Sequence, residues 1–158
     1  MSQKLLLPNR YKTIGWWILI PAAILGIMLM STDFEGFEWK GWVFAMWNDE
    51  ILGESSAFSF VKTNVTNTVA GLLFLVGALL VGFSKEKRED EFIANLRLSS
   101  LLWAVLVNSI LLLLSFMFIY GIAFLHVMIY NMFTVLIIFI VRFNFILYKN
   151  AKNMSDEK

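Results

Sequence analysis

The sequence contains no cysteine, one histidine, two prolines and few charged residues in its 158 positions. Without cysteine the chain can form no disulfide, no thiolate metal site and no cysteine nucleophile. Charged residues make up 16% of the chain, whereas soluble domains contain about 25%. The net charge of +1 provides no basic face for nucleic acid, so we expect no direct nucleic-acid partner.

Sequence motifs of enzymes are also missing. The chain has no G-x-S-x-G nucleophile elbow, no H-E-x-x-H zinc motif and no glycine-rich phosphate loop. A lone histidine cannot form the usual metal site, and no carboxylate lies within the apolar blocks to act with it in a proton relay. We therefore predict a non-enzymatic protein with no catalytic residue, no metal and no cofactor.

The apolar residues, 59% of the chain, are concentrated in blocks. A helix that crosses a bilayer needs about 20 apolar residues. Residues 99–145 form nearly one apolar run, which as a single helix would be about 70 Å long, so it must turn back near Gly121. The blocks predict one all-α integral membrane domain with four transmembrane helices as two hairpins, at about 14–30, 66–83, 99–119 and 125–147.

The positions of lysine and arginine predict the orientation. Of 13 basic residues, only Lys40 and Lys62 lie in the loop between the first two spans, 31–65, which contains six acidic residues. The others lie at the two termini, in the segment 84–98, here called the hinge, and, in the case of Arg142, near the inner end of the fourth span. Because basic residues are retained on the cytoplasmic side, we expect both termini and the hinge in the cytoplasm. The expected location is the cytoplasmic membrane, with multiple passes through the lipid bilayer.

The outer loop is rich in tryptophan, at Trp39, Trp42 and Trp47. Tryptophan prefers the headgroup level, where its ring is in an apolar environment and its N–H remains hydrated. The stretch "WKGWVFAMW" therefore predicts a short interfacial segment that anchors the loop to the membrane surface.

Small residues repeat with the same spacing in the first two spans, at Gly15, Ala22 and Gly26 and again at Gly71, Ala78 and Gly82. In each span they share one helix face, and small residues allow helix backbones to approach closely in lipid. The pattern predicts that these two spans pack together. Chance is the alternative, because glycine and alanine are common in membrane helices.

Polar residues inside the last two spans are candidates for function: Asn108, His126, Asn131 and Arg142. Each asparagine either makes an interhelical hydrogen bond or lines a polar path, and we expect the two to lie on opposite sides of the mid-depth without touching. His126 is expected near the outer surface, where it is structural or senses protons. Arg142 is near the inner end, where its side chain can extend to the interface. One hypothesis is a small transporter or channel subunit, in which three of these residues line a polar path: Asn108, Asn131 and His126.

The hinge supports the other hypothesis. Its basic group follows the second span, and its acidic group falls where the third helix should begin, near Asp90, because carboxylates favour a helix N-terminus. We expect Asp90, Glu91 and Arg97 to face the cytosol. Glu91 and Arg97 are six positions apart, so they should not pair along the helix. At least one of them is then free for another segment or for a partner.

The stretch "DEFIANLRLSSLLWA" resembles the D-E-x-x-x-x-[IL]-R-x-x-[AS] segment of a group of small, uncharacterised prokaryotic integral membrane proteins. The matching positions are Asp90, Glu91, Leu96, Arg97 and Ser100. Members of that group are often encoded beside helix-turn-helix regulators, so the resemblance implies a membrane partner of a cytosolic regulatory protein. The leading hypothesis is a regulatory or adaptor protein whose hinge binds such a partner; a homo-oligomer is compatible with it.

Overall fold

The computed structural model describes residues 6–31, 39–48, 56–87 and 89–156. The prediction of four helices is confirmed, and all four are long and apolar enough to span a membrane. Along the chain the elements are α1 (Arg10–Ser31), β1 (Lys40–Asn48), β2 (Ser56–Asn64), α2 (Val65–Gly82), α3 (Glu91–Phe118) and α4 (Ile122–Asp156).

The all-α prediction is wrong for the loop between α1 and α2. Strands β1 and β2 pair there as an antiparallel hairpin, in a register that places Phe44 opposite Phe60 and Lys40 opposite Asn64. The stretch predicted as an interfacial segment is therefore mostly strand. Aromatic and β-branched residues are enriched in strands. Along β2, Ser59 separates Phe58 from Phe60, a two-residue spacing typical of a strand.

Helices α3 and α4 form the predicted helical hairpin. The Asp90 carboxylate caps α3 by accepting a hydrogen bond of 2.8 Å from the Ile93 backbone N–H. The helix ends at Phe118, and Gly121 makes the turn with φ +71°, a left-handed conformation that glycine adopts without a steric penalty. α4 has 35 residues, or about 52 Å at 1.5 Å per residue, which exceeds the about 30 Å hydrocarbon core.

The burial pattern of α3 is inverted relative to a soluble helix. Its buried residues, Arg97, Ser100, Ala104 and Asn108, are polar or small and share one face. Its exposed residues include large apolar side chains along the whole helix, among them Leu98, Leu102, Trp103, Leu106, Ile110 and Leu113. Buried polar groups together with exposed apolar surface are unusual for a helix of a soluble protein. The pattern is typical of a membrane helix, which packs through small and polar residues and exposes apolar side chains to lipid.

The chain divides into two compact units: Met1–Trp17 with Gly77–Lys158, and Ile18–Val76. In the first unit Gly15 lies against the last turn of α2, where an added Cβ would be 2.8 Å from Leu80 Cβ. At Gly82 the close neighbour is instead Phe139 of α4, 2.7 Å from an added Cβ. In the second unit no heavy atom of the described residues lies within 4 Å of an added Cβ at Gly26. The predicted packing of the first two spans through one small-residue face therefore fails at Gly26 and Gly82.

Candidate functional site

The hinge is attached to the segment that precedes α1. The Leu7 backbone N–H donates to Phe83 O at 3.0 Å, and the Lys85 N–H donates back to Leu7 O at 2.8 Å. The Asn9 side-chain amide adds a third bond, to Lys85 O at 2.7 Å. Because three bonds join two segments far apart in sequence, the first residues of the hinge have a fixed position beside the start of α1.

Arg97 attaches the other end of the hinge. Its guanidinium donates to both carboxylate oxygens of Glu89, at 2.7 Å and 3.3 Å, and to Ser84 O at 3.1 Å. Only 8% of Arg97 is exposed, so the expectation that this side chain faces the cytosol and is free for a partner is wrong. A bidentate arginine–carboxylate pair fixes the orientation of the guanidinium and contributes to stability, and here the Ser84 carbonyl adds a third acceptor.

Glu89 is held in its charged form. Burial raises the pKa of the Glu89 carboxyl, but the hydrogen bond from Arg97, the hydrogen bond from the Glu86 backbone N–H and the charges of Arg97 and Lys85 outweigh that effect. The net pKa lies below the ordinary glutamate value. Glu89 is therefore a carboxylate in the folded protein at neutral pH and can accept both hydrogen bonds from Arg97.

A second ion pair lies at the same end of the helices. Lys12 of α1 pairs with Glu86 of the hinge and donates to Asn144 Oδ1 of α4 at 3.2 Å. The Lys12 ammonium and the Arg97 guanidinium lie 5.8 Å and 5.2 Å from the centroid of the Phe143 ring, within range of cation–π attraction. We call Lys12, Glu86, Glu89, Arg97 and Phe143 the hinge cluster. It joins the start of α1, the hinge, α3 and α4.

The first turn of α3 is exposed where the hinge cluster ends. Asp90, Glu91, Phe92 and Asn95 are all exposed, and 53% of Phe92 is accessible. Asp90 is partly engaged as the helix cap. Exposure of Asp90 and Glu91 agrees with the sequence expectation, and their binding to a partner stays a prediction.

Asn108 and Asn131 contact each other, so the expectation that they do not touch is wrong. The Asn108 amide donates to Asn131 Oδ1 at 3.2 Å, and the Asn131 amide donates to Asn108 Oδ1 at 3.1 Å. Such a reciprocal pair holds α3 and α4 in register, because any shift along the helices breaks both bonds. The pair corresponds to the structural interpretation of these asparagines, an interhelical hydrogen bond.

The contacts that define the hinge cluster involve neither of the remaining two polar candidates, Arg142 and His126. The Arg142 guanidinium lies 4.4 Å from the centroid of the Trp103 ring, so it stacks on α3, and its Nε has no hydrogen-bond partner in the described structure. His126 is exposed on α4, whereas Asn131 faces α3. Five helical positions separate these two residues, which places them on different faces.

Sequence reasoning found Asp90 and Arg97 but missed Lys12, Glu86, Glu89 and Phe143. No helical period links these residues, because they lie on separate elements that only the folded chain brings together. Within the ranges that the structure describes, no three His, Cys, Asp or Glu side chains are grouped so that they could hold a metal ion. No protein-family model, curated protein or solved structure matches this chain.

Proposed function

We propose that the protein is a non-enzymatic membrane adaptor or regulatory protein that binds a cytosolic protein through the first turn of α3. One observation carries the proposal: the hinge cluster joins residues of the hinge to α1 and α4, while Asp90, Glu91 and Phe92 next to it are exposed. A surface that is rigid before binding loses less conformational entropy when a partner docks. A hinge held in place by these contacts therefore suits the binding of a partner protein better than a flexible connection would.

The proposed location is a prokaryotic inner membrane, with the hinge and both termini in the cytoplasm. Eleven of the 13 basic residues lie in the segments assigned to that side, as the positive-inside rule requires. The hinge cluster places charged side chains at the ends of the helices, as expected near either membrane surface, and the count of basic residues assigns this end to the cytoplasm. This orientation makes the exposed turn accessible to cytosolic proteins.

The side chains of the exposed turn indicate what surface a binding partner would need. Glu91 and the capping Asp90 present two carboxylates beside the half-exposed ring of Phe92. The complementary surface has an apolar pocket for an aromatic ring with lysine or arginine at its rim, since aromatic anchors dominate interface energies and rim charges tune association. A cytosolic transcription regulator is the class of partner that the resemblance of this segment implies.

Transport is less well supported. Asn108 and Asn131 bond to each other, and His126 lies on a different face of α4 from Asn131. The three residues proposed to line a polar path therefore do not share one surface. No described contact favours a channel over an adaptor.

Two variants test the adaptor proposal. Glu91→Gln and Lys149→Gln each remove one charge from an exposed helical position, but only the first changes the proposed docking turn. Affinity purification from native membranes in mild detergent should show a cytosolic protein that binds the parent and Lys149→Gln alike, is lost at high salt and binds Glu91→Gln weakly. Equal recovery of the same proteins by all three chains would contradict the proposal.

A further inference from the structure

The β-hairpin exposes one apolar face. Alternate residues of both strands point to it, and the Phe44 ring packs against the rings of Phe58 and Phe60, with centroids 6.3 Å and 5.5 Å away. Trp42 and Met46 complete the row. Each of these five residues, which we call the aromatic face, is between 52% and 72% exposed.

The opposite face of the hairpin differs in character and burial. Val43, Ala45 and Val61 point to it and are less exposed than their neighbours on the aromatic face. Among the side chains that the structure describes, the larger apolar ones therefore lie on the more exposed side of the sheet. A contiguous apolar surface of this kind marks an interaction site, and its occupant must itself be apolar.

The base of the hairpin is attached to a membrane span. β2 ends at Asn64 and α2 begins at Val65, without an intervening residue. The Val65 backbone N–H donates to Trp39 O at 2.9 Å, and the Trp39 N–H donates to Thr66 Oγ1 at 3.2 Å. Because α2 is apolar enough to cross a bilayer, this junction places the hairpin base at a membrane surface, on whichever side of the membrane α2 begins.

The distribution of charge favours lipid as the occupant. The strand sequences contain no carboxylate, and their only charged residues are Lys40 and Lys62. A strand surface without carboxylates can enter the headgroup region at low cost, and the exposed Lys62 can extend its ammonium group toward lipid phosphates. Tryptophan in particular favours this region.

We propose that the hairpin lies in the plane of the bilayer, with the aromatic face inserted among the lipid headgroups and upper acyl chains. Each strand has nine residues, or about 30 Å at about 3.3 Å per residue. An upright hairpin would hold Met46 and Phe58 in water far from the membrane, whereas an in-plane hairpin places the whole face at one depth. The hairpin is then an amphipathic anchor that limits tilting of α2. This inference does not depend on the adaptor function.

The absence of cysteine permits a direct test. Met46→Cys and Ala45→Cys are neighbouring single-cysteine variants on opposite faces, and Phe60→Cys with Val61→Cys repeats the comparison on β2. Each full-length variant is labelled with an environment-sensitive fluorophore in nanodiscs of phosphatidylcholine and phosphatidylglycerol, three to one. Quenching by aqueous iodide is compared with quenching by a lipid bearing a nitroxide near its headgroup.

The proposal predicts alternation. Labels at positions 46 and 60 should be quenched several-fold more by the lipid nitroxide than labels at 45 and 61, and several-fold less by iodide. Equal quenching at all four positions would overturn it. Protection from both quenchers at 46 and 60 would overturn it too, because a protein surface, such as a second copy of the chain, would then cover the face. Circular dichroism and a symmetrical gel-filtration peak identify variants that fold like the parent, and the pair on the other strand replaces any that do not.

Discussion

Replacing Arg97 with methionine should strongly destabilise the fold. Methionine keeps the length of the side chain but removes three hydrogen bonds, two to Glu89 and one to Ser84 O. The side chains of Arg97 and Glu89 are only 10% and 9% exposed, so the variant leaves a carboxylate in a largely water-excluded position without its partner. Removing one member of a buried pair costs about 3–5 kcal/mol, whereas loss of an exposed pair costs about 0–1 kcal/mol.

A double variant separates this cause from simple loss of packing. Glu89→Gln with Arg97→Met removes the uncompensated charge, and the glutamine oxygen can still accept from the Glu86 N–H. We therefore expect the double variant to be more stable than Arg97→Met alone. Reversible unfolding in mixed micelles with increasing dodecyl sulfate, followed by tryptophan fluorescence, gives the four free energies of the cycle. A loss below about 1 kcal/mol for Arg97→Met, within the range of exposed pairs, or a double variant less stable than the single one, would refute the reasoning.

Three further predictions concern pH, the asparagine pair and the glycines. Because the folded-state pKa of Glu89 is depressed, its contribution to the stability of the fold is complete above the ordinary glutamate pKa of about 4.3 and is lost as pH falls through the lower pKa of the folded state. The melting temperature of Glu89→Gln should therefore fall less on acidification than that of the parent. Asn108→Ala should cost about 0.6 kcal/mol and at most about 1.7 kcal/mol, and a cycle with Asn131→Ala should show coupling; additive losses would mean that the bonds contribute nothing. Gly82→Ala should destabilise the fold by about 1–3 kcal/mol through overpacking. Gly26→Ala, where an added Cβ meets open space, should stabilise the fold by about 0.5–1 kcal/mol through helix propensity. Melting temperatures of the two variants that shift in the same direction would contradict this difference.

The helices were predictable because the signal for them is local. Apolar length against bilayer thickness identifies the spans, and a glycine in the middle of a long apolar run identifies the turn at Gly121. The cap at Asp90 follows from a carboxylate placed just before the helix starts. These features need no knowledge of distant residues.

The hinge cluster and the β-hairpin were not predictable to the same extent. Lys12 and Glu86 are 74 positions apart, and no periodicity relates them. Arg97 looks exposed in sequence because it lies in a charged segment, yet its partner Glu89 precedes the helix and folds back over it. In the loop, the tryptophans suggested a membrane-surface segment, and the weaker two-residue alternation of β2 was the only sign of strand pairing.

Site-specific photo-crosslinking tests the central claim, that the exposed first turn of α3 binds a cytosolic protein. Benzoylphenylalanine replaces Phe92 in the test variant and Tyr148 in the control variant, because both residues are exposed aromatics. Position 92 is five residues from Arg97 and position 148 is five residues from Phe143, and Arg97 and Phe143 contact each other. Irradiation of whole cells should give a discrete protein adduct from position 92 that Glu91→Gln removes, and no such adduct from position 148. No protein adduct at 92, or the same adducts from both positions, would contradict the account.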